Sequence, residues 1–373
     1  MEMDQLLKLV ITKGASDLHL RVNSAPVLRI DGKLIPQSDF PLLTSDAVKE
    51  LFEQITTEEQ RETLQKDKEL DFAYSLGDFA RFRVNVLLQQ KTLSIACRMV
   101  PAIVPTIDEL ELPGVCKELV LQPRGLILVT GRTGAGKSTT MAAMLRHLNE
   151  NKECNVISIE DPIEYQHTHI KSIIAQREVG DDTKTFVSAL VHALRHDPDV
   201  IVVGEMRDLE TISTAISAAE TGHLVIATLH TSDAPQTIDR IIDVFPPSQQ
   251  TQIRLQLSQV ILAILSQILL PRAGGKGRIA AFEIMVANPA IRNLIREAKT
   301  YEITNYMKMG SSEGMQTMDD SLINLVLNGK VTREDAVLRS RNPERVERAL
   351  LSSAKNRQDN GQPSRIKRER LSG

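Results

Sequence analysis

Eight consecutive residues constrain the chain more than any others: Gly-Arg-Thr-Gly-Ala-Gly-Lys-Ser at positions 131–138, the pattern G-x-x-x-x-G-K-[ST]. The apolar run Gly125–Thr130 precedes them. The segment after them places Met141, Met144, Leu145 and Leu148 on one helical face. Glycines at 131, 134 and 136 let the backbone curl, so that the N–H groups of the stretch from Thr133 through Ala135 to Thr139 point at phosphate oxygens. Lys137 then reaches the β- and γ-phosphates, and the Ser138 hydroxyl coordinates Mg²⁺. A buried strand, this loop and a helix in immediate succession form the first unit of an α/β fold built on a parallel sheet. The expected ligand is ATP or GTP.

A chain of 373 residues exceeds one typical core, so two domains are expected. Residues 1–100 read as a small α+β unit, with a helix at 3–11, strands at 17–22, 27–30 and 33–36, and helices at 44–55 and 57–65 opened by threonine caps. Strands at 70–75, 79–89 and 92–100 follow. Pro101, Pro105 and Pro113 mark residues 101–113 as a linker. Residues 114–354 form the nucleotide-binding domain. Its strands are expected at 125–130, 155–159, 200–203, 224–228 and 278–285, and its helices at 185–196, 209–220, 234–244 and 248–269, with further helices after 287. The polar, basic segment 355–373 lacks periodicity and is expected to be a disordered tail.

Composition removes several classes. A net charge of −3, eight phenylalanines, four tyrosines and no tryptophan leave little for base stacking, so no nucleic-acid partner is expected. No apolar stretch approaches about 20 residues, so no transmembrane segment is expected, and Met1-Glu-Met-Asp-Gln lacks a basic n-region, so no secretory signal is expected either. Cys97, Cys116 and Cys154 lack metal-ligand spacing and read as buried small hydrophobes in a reducing, cytoplasmic compartment.

Carboxylates at strand ends define the chemistry. Asp199-Val-Ile-Val-Val-Gly-Glu ends in Glu205, placed as the acid that meets Mg²⁺, directly or through water. Ile157-Ser-Ile-Glu-Asp-Pro-Ile-Glu sets Glu160, Asp161 and Glu164 beyond another strand, at the edge where open α/β sheets bind ligands, and such a carboxylate can orient the attacking water. The strand after His223 ends in His230, positioned to sense the γ-phosphate. Arg195 and Arg207 are read as lying beside the nucleotide edge, and Arg81, Arg83 and Arg98 lie on N-terminal strands, where some must face outward.

Taken together, the loop at 131–138, the acidic box at 157–165, Gly204-Glu205 and the histidine box at 222–231 resemble the ATPases of type II secretion and type IV pili. The start Ala15-Ser-Asp-Leu-His-Leu20 and the segment Ala290-Ile-Arg-Asn-Leu-Ile-Arg-Glu297 are similar to the PilT-type pilus retraction ATPases. The resemblance runs from residue 1 to about residue 352. It implies a PAS-like N-terminal domain, a RecA-like C-terminal domain and a homohexamer using ATP and Mg²⁺. It also implies a place at the cytoplasmic face of the inner membrane, an inner-membrane pilus platform protein as partner, and a paralogous retraction ATPase as a second partner. It assigns Glu164 as catalytic glutamate and Glu205 as the Mg²⁺-side acid, and makes 290–297 a retraction motif, whose Arg292, Arg296 and Glu297 are expected to face away from the core. Pilus extension and secretion ATPases differ in usually carrying a long extra N-terminal region and a four-cysteine zinc module. A conjugation-type ATPase fits the Ala15–Leu20 start less well. Two classes stay open: a mechanoenzyme coupling hydrolysis to pilin depolymerisation, and an accessory subunit that binds nucleotide but hydrolyses poorly. ATPase assay of the purified protein separates them.

Overall fold

Apolar residues at positions 3, 6, 7 and 10 make the first helix, α1 (Met3–Thr12), amphipathic, and all four are buried. Their core is shared with a six-stranded antiparallel sheet in the order β3-β2-β1-β6-β5-β4. Its strands are β1 (Asp17–Arg21), β2 (Val27–Ile30), β3 (Lys33–Pro36), β4 (Glu69–Leu76), β5 (Ala80–Gln89) and β6 (Thr92–Val100). Between β3 and β4 lie α2 (Ser45–Glu53) and α3 (Glu58–Asp67). Thr44 accepts a hydrogen bond from the Ala47 amide, and Thr57 closes a reciprocal capping box with Gln60. Along β5, Phe82, Val84 and Val86 point into the core, so Arg81 and Arg83 project from the opposite face.

The computed structural model describes residues 1–30, 32–77, 80–100, 103–275 and 277–359, with side chains described through residue 352. The chain divides into two compact units. One comprises Met1–Val104 with the short segment Glu164–Gln166; the other runs from Pro105 to Ile163 and from His167 onward. Asp31 and Asp78, which lie between expected strands, Phe79 of the strand expected at 79–89, and Pro101 and Ala102 of the expected linker lie outside the described residues.

In the second unit, α4 (Val115–Val120) leads to β7 (Gly125–Thr130), α5 (Lys137–Asn151), β8 (Asn155–Glu160), β9 (Ile173–Glu178) and α6 (Phe186–Ala193). Then come β10 (Val200–Val203), α7 (Leu209–Glu220), β11 (Leu224–Leu229), α8 (Ala234–Asp243), α9 (Pro247–Val260), β12 (Ile261–Pro271) and β13 (Arg278–Val286). The sheet order is β13-β12-β7-β11-β10-β8-β9, parallel throughout except for the antiparallel β12–β13 pair. Every residue of β7, β10 and β11 is buried, as a parallel sheet covered on both faces requires. Alternate residues feed two cores: Leu126, Leu128, Ile201 and Val225 join one, and Ile127, Val129, Val202 and Ile226 the other. Beyond β13 the chain is helical: α10 (Pro289–Arg296), α11 (Ile303–Met309), α12 (Met318–Leu327), α13 (Arg333–Arg339) and α14 (Pro343–Asp359).

Two expectations are corrected here, and one strand is added. The helix expected at 248–269 stops at Val260, and its second half is β12, a central strand beside β7. Its run Ile-Leu-Ala-Ile-Leu is apolar on both faces, which leaves no alternation to mark a strand. Strand β9 at the sheet edge was not anticipated. The expected tail begins too early, since residues 355–359 continue α14, while 360–373 lie outside the described residues.

Candidate nucleotide site

Strand β12 holds the glycine-rich loop in place. The Thr130 hydroxyl, at the end of β7, shares a buried 2.8 Å hydrogen bond with Ser266 of β12. Next to it, Gln267 Nε2 donates to the Ala135 carbonyl at 2.6 Å. Gly131 adopts φ +146°, and a Cβ there would fall 2.5 Å from the Gln267 carbonyl oxygen, so only glycine fits. Gly134 and Gly136 also have positive φ, and Gly136 delivers the chain into α5. The first amides of α5, for which a helix offers no partner within itself, therefore open onto the loop, and Ser138 and Thr139 occupy its first turn. Lys137 Nζ donates to the Gly131 carbonyl at 2.9 Å and the Arg132 carbonyl at 3.4 Å. Burial lowers its pKa from the usual lysine value, and the charge of Glu205 partly opposes that shift.

A cavity of about 430 Å³ adjoins the loop, in the range of small-molecule sites. Gly136, Thr139 and Gln267 line one side of it, and Leu110, Leu112 and Ile279 supply apolar wall. Gln267 Oε1 is buried without a hydrogen-bond partner.

Glu205 is fixed between two strand ends. The Gly204 amide donates to the Ile159 carbonyl (2.8 Å) and the Met206 amide to the Thr228 carbonyl (3.0 Å). A Cβ at position 204 would lie 3.1 Å from the Ile159 oxygen and 3.3 Å from Glu160 Cα, which explains glycine before the acid. One Glu205 oxygen pairs with Arg207 at 2.8 Å and the other with His230 Nε2 at 3.0 Å. Burial alone would raise this carboxyl's pKa; the bonds and charges of Arg207 and His230 outweigh it and hold Glu205 below the usual carboxylate value. Glu160 Oε1, at the end of β8, accepts from Ser158 Oγ (2.6 Å) and Gln176 Nε2 (3.0 Å).

The structure thus joins Glu205, Arg207 and His230 directly, and Glu205 lies within electrostatic reach of Lys137. Arg195 is a correction. It follows α6 and precedes β10, and the neighbouring His196 and Asp197 carbonyls accept from the side chain of Asn155, the first residue of β8. That is the edge where the parallel strands begin, about 20 Å of strand away from the loop of the same chain. Glu164 is exposed and groups with the N-terminal unit. In that unit Arg83 lies opposite Arg98 across β5–β6, and Arg98 Nε donates to Asp17 at 2.8 Å, with Arg29 on the far side of Asp17 at 3.5 Å. Sequence reasoning missed Ser266 and Gln267. Neither carries a local motif, and both sit on the strand that reads as a helix.

An ionised carboxylate and a hydroxyl are hard oxygen donors, and the donor set of Glu205 and Ser138 suits Mg²⁺. Among the described residues no three histidine, cysteine or carboxylate side chains gather to hold a metal by themselves.

Residues 2–339 match the family described as type II/IV secretion system protein. The chain is 46% identical over 344 residues to the type IV pilus retraction ATPase PilT of Pseudomonas aeruginosa, covering 92% of this chain and 99% of that protein. It is 41% identical over 337 residues to the type IV pilus ATPase PilU of the same organism, covering 90% of this chain and 88% of that one. A crystal structure of the pilus retraction motor PilT with bound ADP superposes with a TM-score of 0.88 at 47% identity, covering 93% of this chain and 99% of that one.

Proposed function

We infer, for a chain that belongs to the type II/IV secretion system protein family and is an ATPase of it, that this protein is the ATP-driven motor of type IV pilus retraction. The observation that carries the reading is Lys137, donating to the Gly131 and Arg132 carbonyls of the glycine-rich loop, together with Glu205 gripped by Arg207 at 2.8 Å and His230 at 3.0 Å. The β- and γ-phosphates of ATP take the loop amides between Gly131 and Thr139 and the Lys137 ammonium. The base and ribose take the cavity beside Gly136, where the unpartnered Gln267 Oε1 offers an acceptor to an exocyclic amine. Ser138 and Glu205 would hold Mg²⁺, directly or through water, and the ion would supply charge neutralisation on the phosphate oxygens.

Glu164 takes the part of catalytic glutamate that the family resemblance assigns, drawing a proton from the attacking water as the γ-phosphoryl leaves ADP. Glu160 supports it from the end of β8. Arg207 and His230 respond to the γ-phosphate through the carboxylate they share, and Arg81, Arg83 and Arg98 add cationic charge toward nucleotide. Arg195 has no part in the site of its own chain. The motor works as a homohexamer at the cytoplasmic face of the inner membrane, against a pilus platform protein and alongside a paralogous ATPase. No helix among the described residues is long and apolar enough to cross a membrane.

The retained acids favour an active motor over an accessory subunit. Steady-state phosphate release by the purified protein tests this. Mg²⁺-dependent turnover that Lys137→Ala abolishes is expected, and wild-type protein without turnover would overturn the reading.

A further inference from the structure

The loop that carries His230 does not end at the nucleotide site. Three residues on, Asp233 caps α8 by accepting from the Gln236 amide at 2.8 Å. Its second oxygen lies 3.1 Å from Nη2 of Arg341, in the connection between α13 and α14. The same nitrogen donates to the Ser232 carbonyl at 3.1 Å. Nη1 lies 3.3 Å from Glu283 of β13, whose other oxygen accepts from the Ala234 amide at 2.9 Å. The Arg341 amide is itself anchored, donating to Asp319 of α12 at 2.9 Å. One guanidinium from the C-terminal helices thus grips residues 232 and 233 directly and residue 234 through Glu283.

The grip is chemically forced. Glu283 is 1% exposed and Asp233 6% exposed, two carboxylates close enough to repel each other. Arg341 is the cation the described structure places against both. A neutral residue there would leave a buried carboxylate uncompensated and the Ser232 carbonyl unheld. On the other side of the loop, the Thr231 and Thr237 hydroxyls share a 2.6 Å bond, so the segment from His230 to α8 has little freedom while Arg341 is in place.

We propose that Arg341 is a positioning residue for hydrolysis: it fixes the 230–234 loop so that His230 meets Glu205, and so makes turnover depend on the seating of the C-terminal helices α12–α14. The glycine-rich loop joins β7 to α5, and the cavity meets the grip's own elements only at Arg278–Ala280, the start of β13, away from Glu283, so ATP binding should change little when the grip is lost. The inference rests on the reading above that His230 takes part in turnover.

The test measures kcat and KM for ATP, with melting temperature, in the full-length chain. Arg341→Ala should lower kcat about tenfold, the scale of a misplaced group, with KM within about twofold. Arg341→Lys keeps one charge and should recover part of kcat. In Arg341→Ala with Glu283→Gln one of the two orphaned carboxylates and the repulsion between them are gone, so the melting temperature should recover in part while kcat stays low. Recovery of kcat in step with stability in that double variant, or full kcat in Arg341→Ala, would overturn the proposal. His230→Ala is run beside them. Its kcat should fall at least as far; if it falls while Arg341→Ala is unaffected, the positioning claim alone fails, and if His230→Ala is itself unaffected, the role of His230 fails and the proposal with it.

Discussion

Arg292 and Arg296 are both expected from the sequence to point away from the core, yet the structure separates them, and a paired substitution tests the difference. The stripe Ile291, Leu294 and Ile295 is buried as its spacing requires. Arg292 nevertheless folds back. Its Nη1 donates to the Ser258 and Gln259 carbonyls at 2.7 and 2.6 Å, and its Nε to the Ala287 carbonyl at 3.1 Å. Ser258 and Gln259 belong to the last turn of α9, where carbonyls have no partner within the helix. Burial lowers the pKa of this guanidinium from its usual value, as expected for a charge held among carbonyls. Arg296 is exposed, and among the described residues its side chain donates to Asn293 Oδ1 on its own helix.

A hydrogen bond to a charged group contributes roughly 1.5–3 kcal/mol. Three such bonds, discounted because the side chain is half exposed and water replaces part of them, put Arg292→Ala at about 2–3 kcal/mol. For a domain of this size that is a fall of roughly 5–10 °C in melting temperature. Arg296→Ala, a surface change, should cost no more than about 0.5 kcal/mol. Thermal unfolding of both variants, followed by ATPase assay of each, reads the contrast. Because α9 runs directly into β12, which holds the glycine-rich loop, loss of Arg292 should also lower turnover, whereas Arg296→Ala should leave turnover near wild type and impair retraction in cells. Equal melting temperatures for the two variants would refute the anchoring.

Other outcomes follow from the site. Lys137→Ala should abolish hydrolysis while leaving a folded protein by circular dichroism. Glu164→Gln should block turnover yet still retain ATP on a filter, whereas Glu205→Gln should raise the Mg²⁺ concentration needed for half-maximal rate. The Glu205 carboxyl has a lowered folded-state pKa, so its stabilisation is present above the ordinary value of 4.5 and is lost as pH falls through the lowered one. Arg207→Ala removes one cause of that lowering and should move the acid limb of the stability–pH profile upward. Specific activity should rise with protein concentration and track a hexamer in light scattering, since the motor is proposed to work as a homohexamer.

Much of this architecture is legible in the residues. The threonine caps at 44 and 57, the octet at 131–138 and the apolar stripe at 291–295 each depend on neighbours within a turn or two, and a sequence displays such neighbours. What failed depended on distant partners. β12 is buried by β7 and β13, contacts some 140 and 20 residues away, so its apolar run carries no period of its own. Gln267 and Arg341 act through residues more than a hundred positions distant. Arg195 was misplaced for a topological reason, since a parallel sheet returns each crossover helix to the opposite edge and the residues before a strand lie far from those after it. The inward turn of Arg292 is likewise invisible to helical periodicity, which gives the face of a Cα but not the reach of a long side chain.

Pilus retraction in living cells tests the central claim most directly. A strain lacking its own retraction ATPase, complemented with this chain, should retract its pili, and the same strain carrying Lys137→Ala should not. Retraction sustained by Lys137→Ala, or none with the wild-type chain present at normal abundance, would contradict an ATP-driven retraction motor.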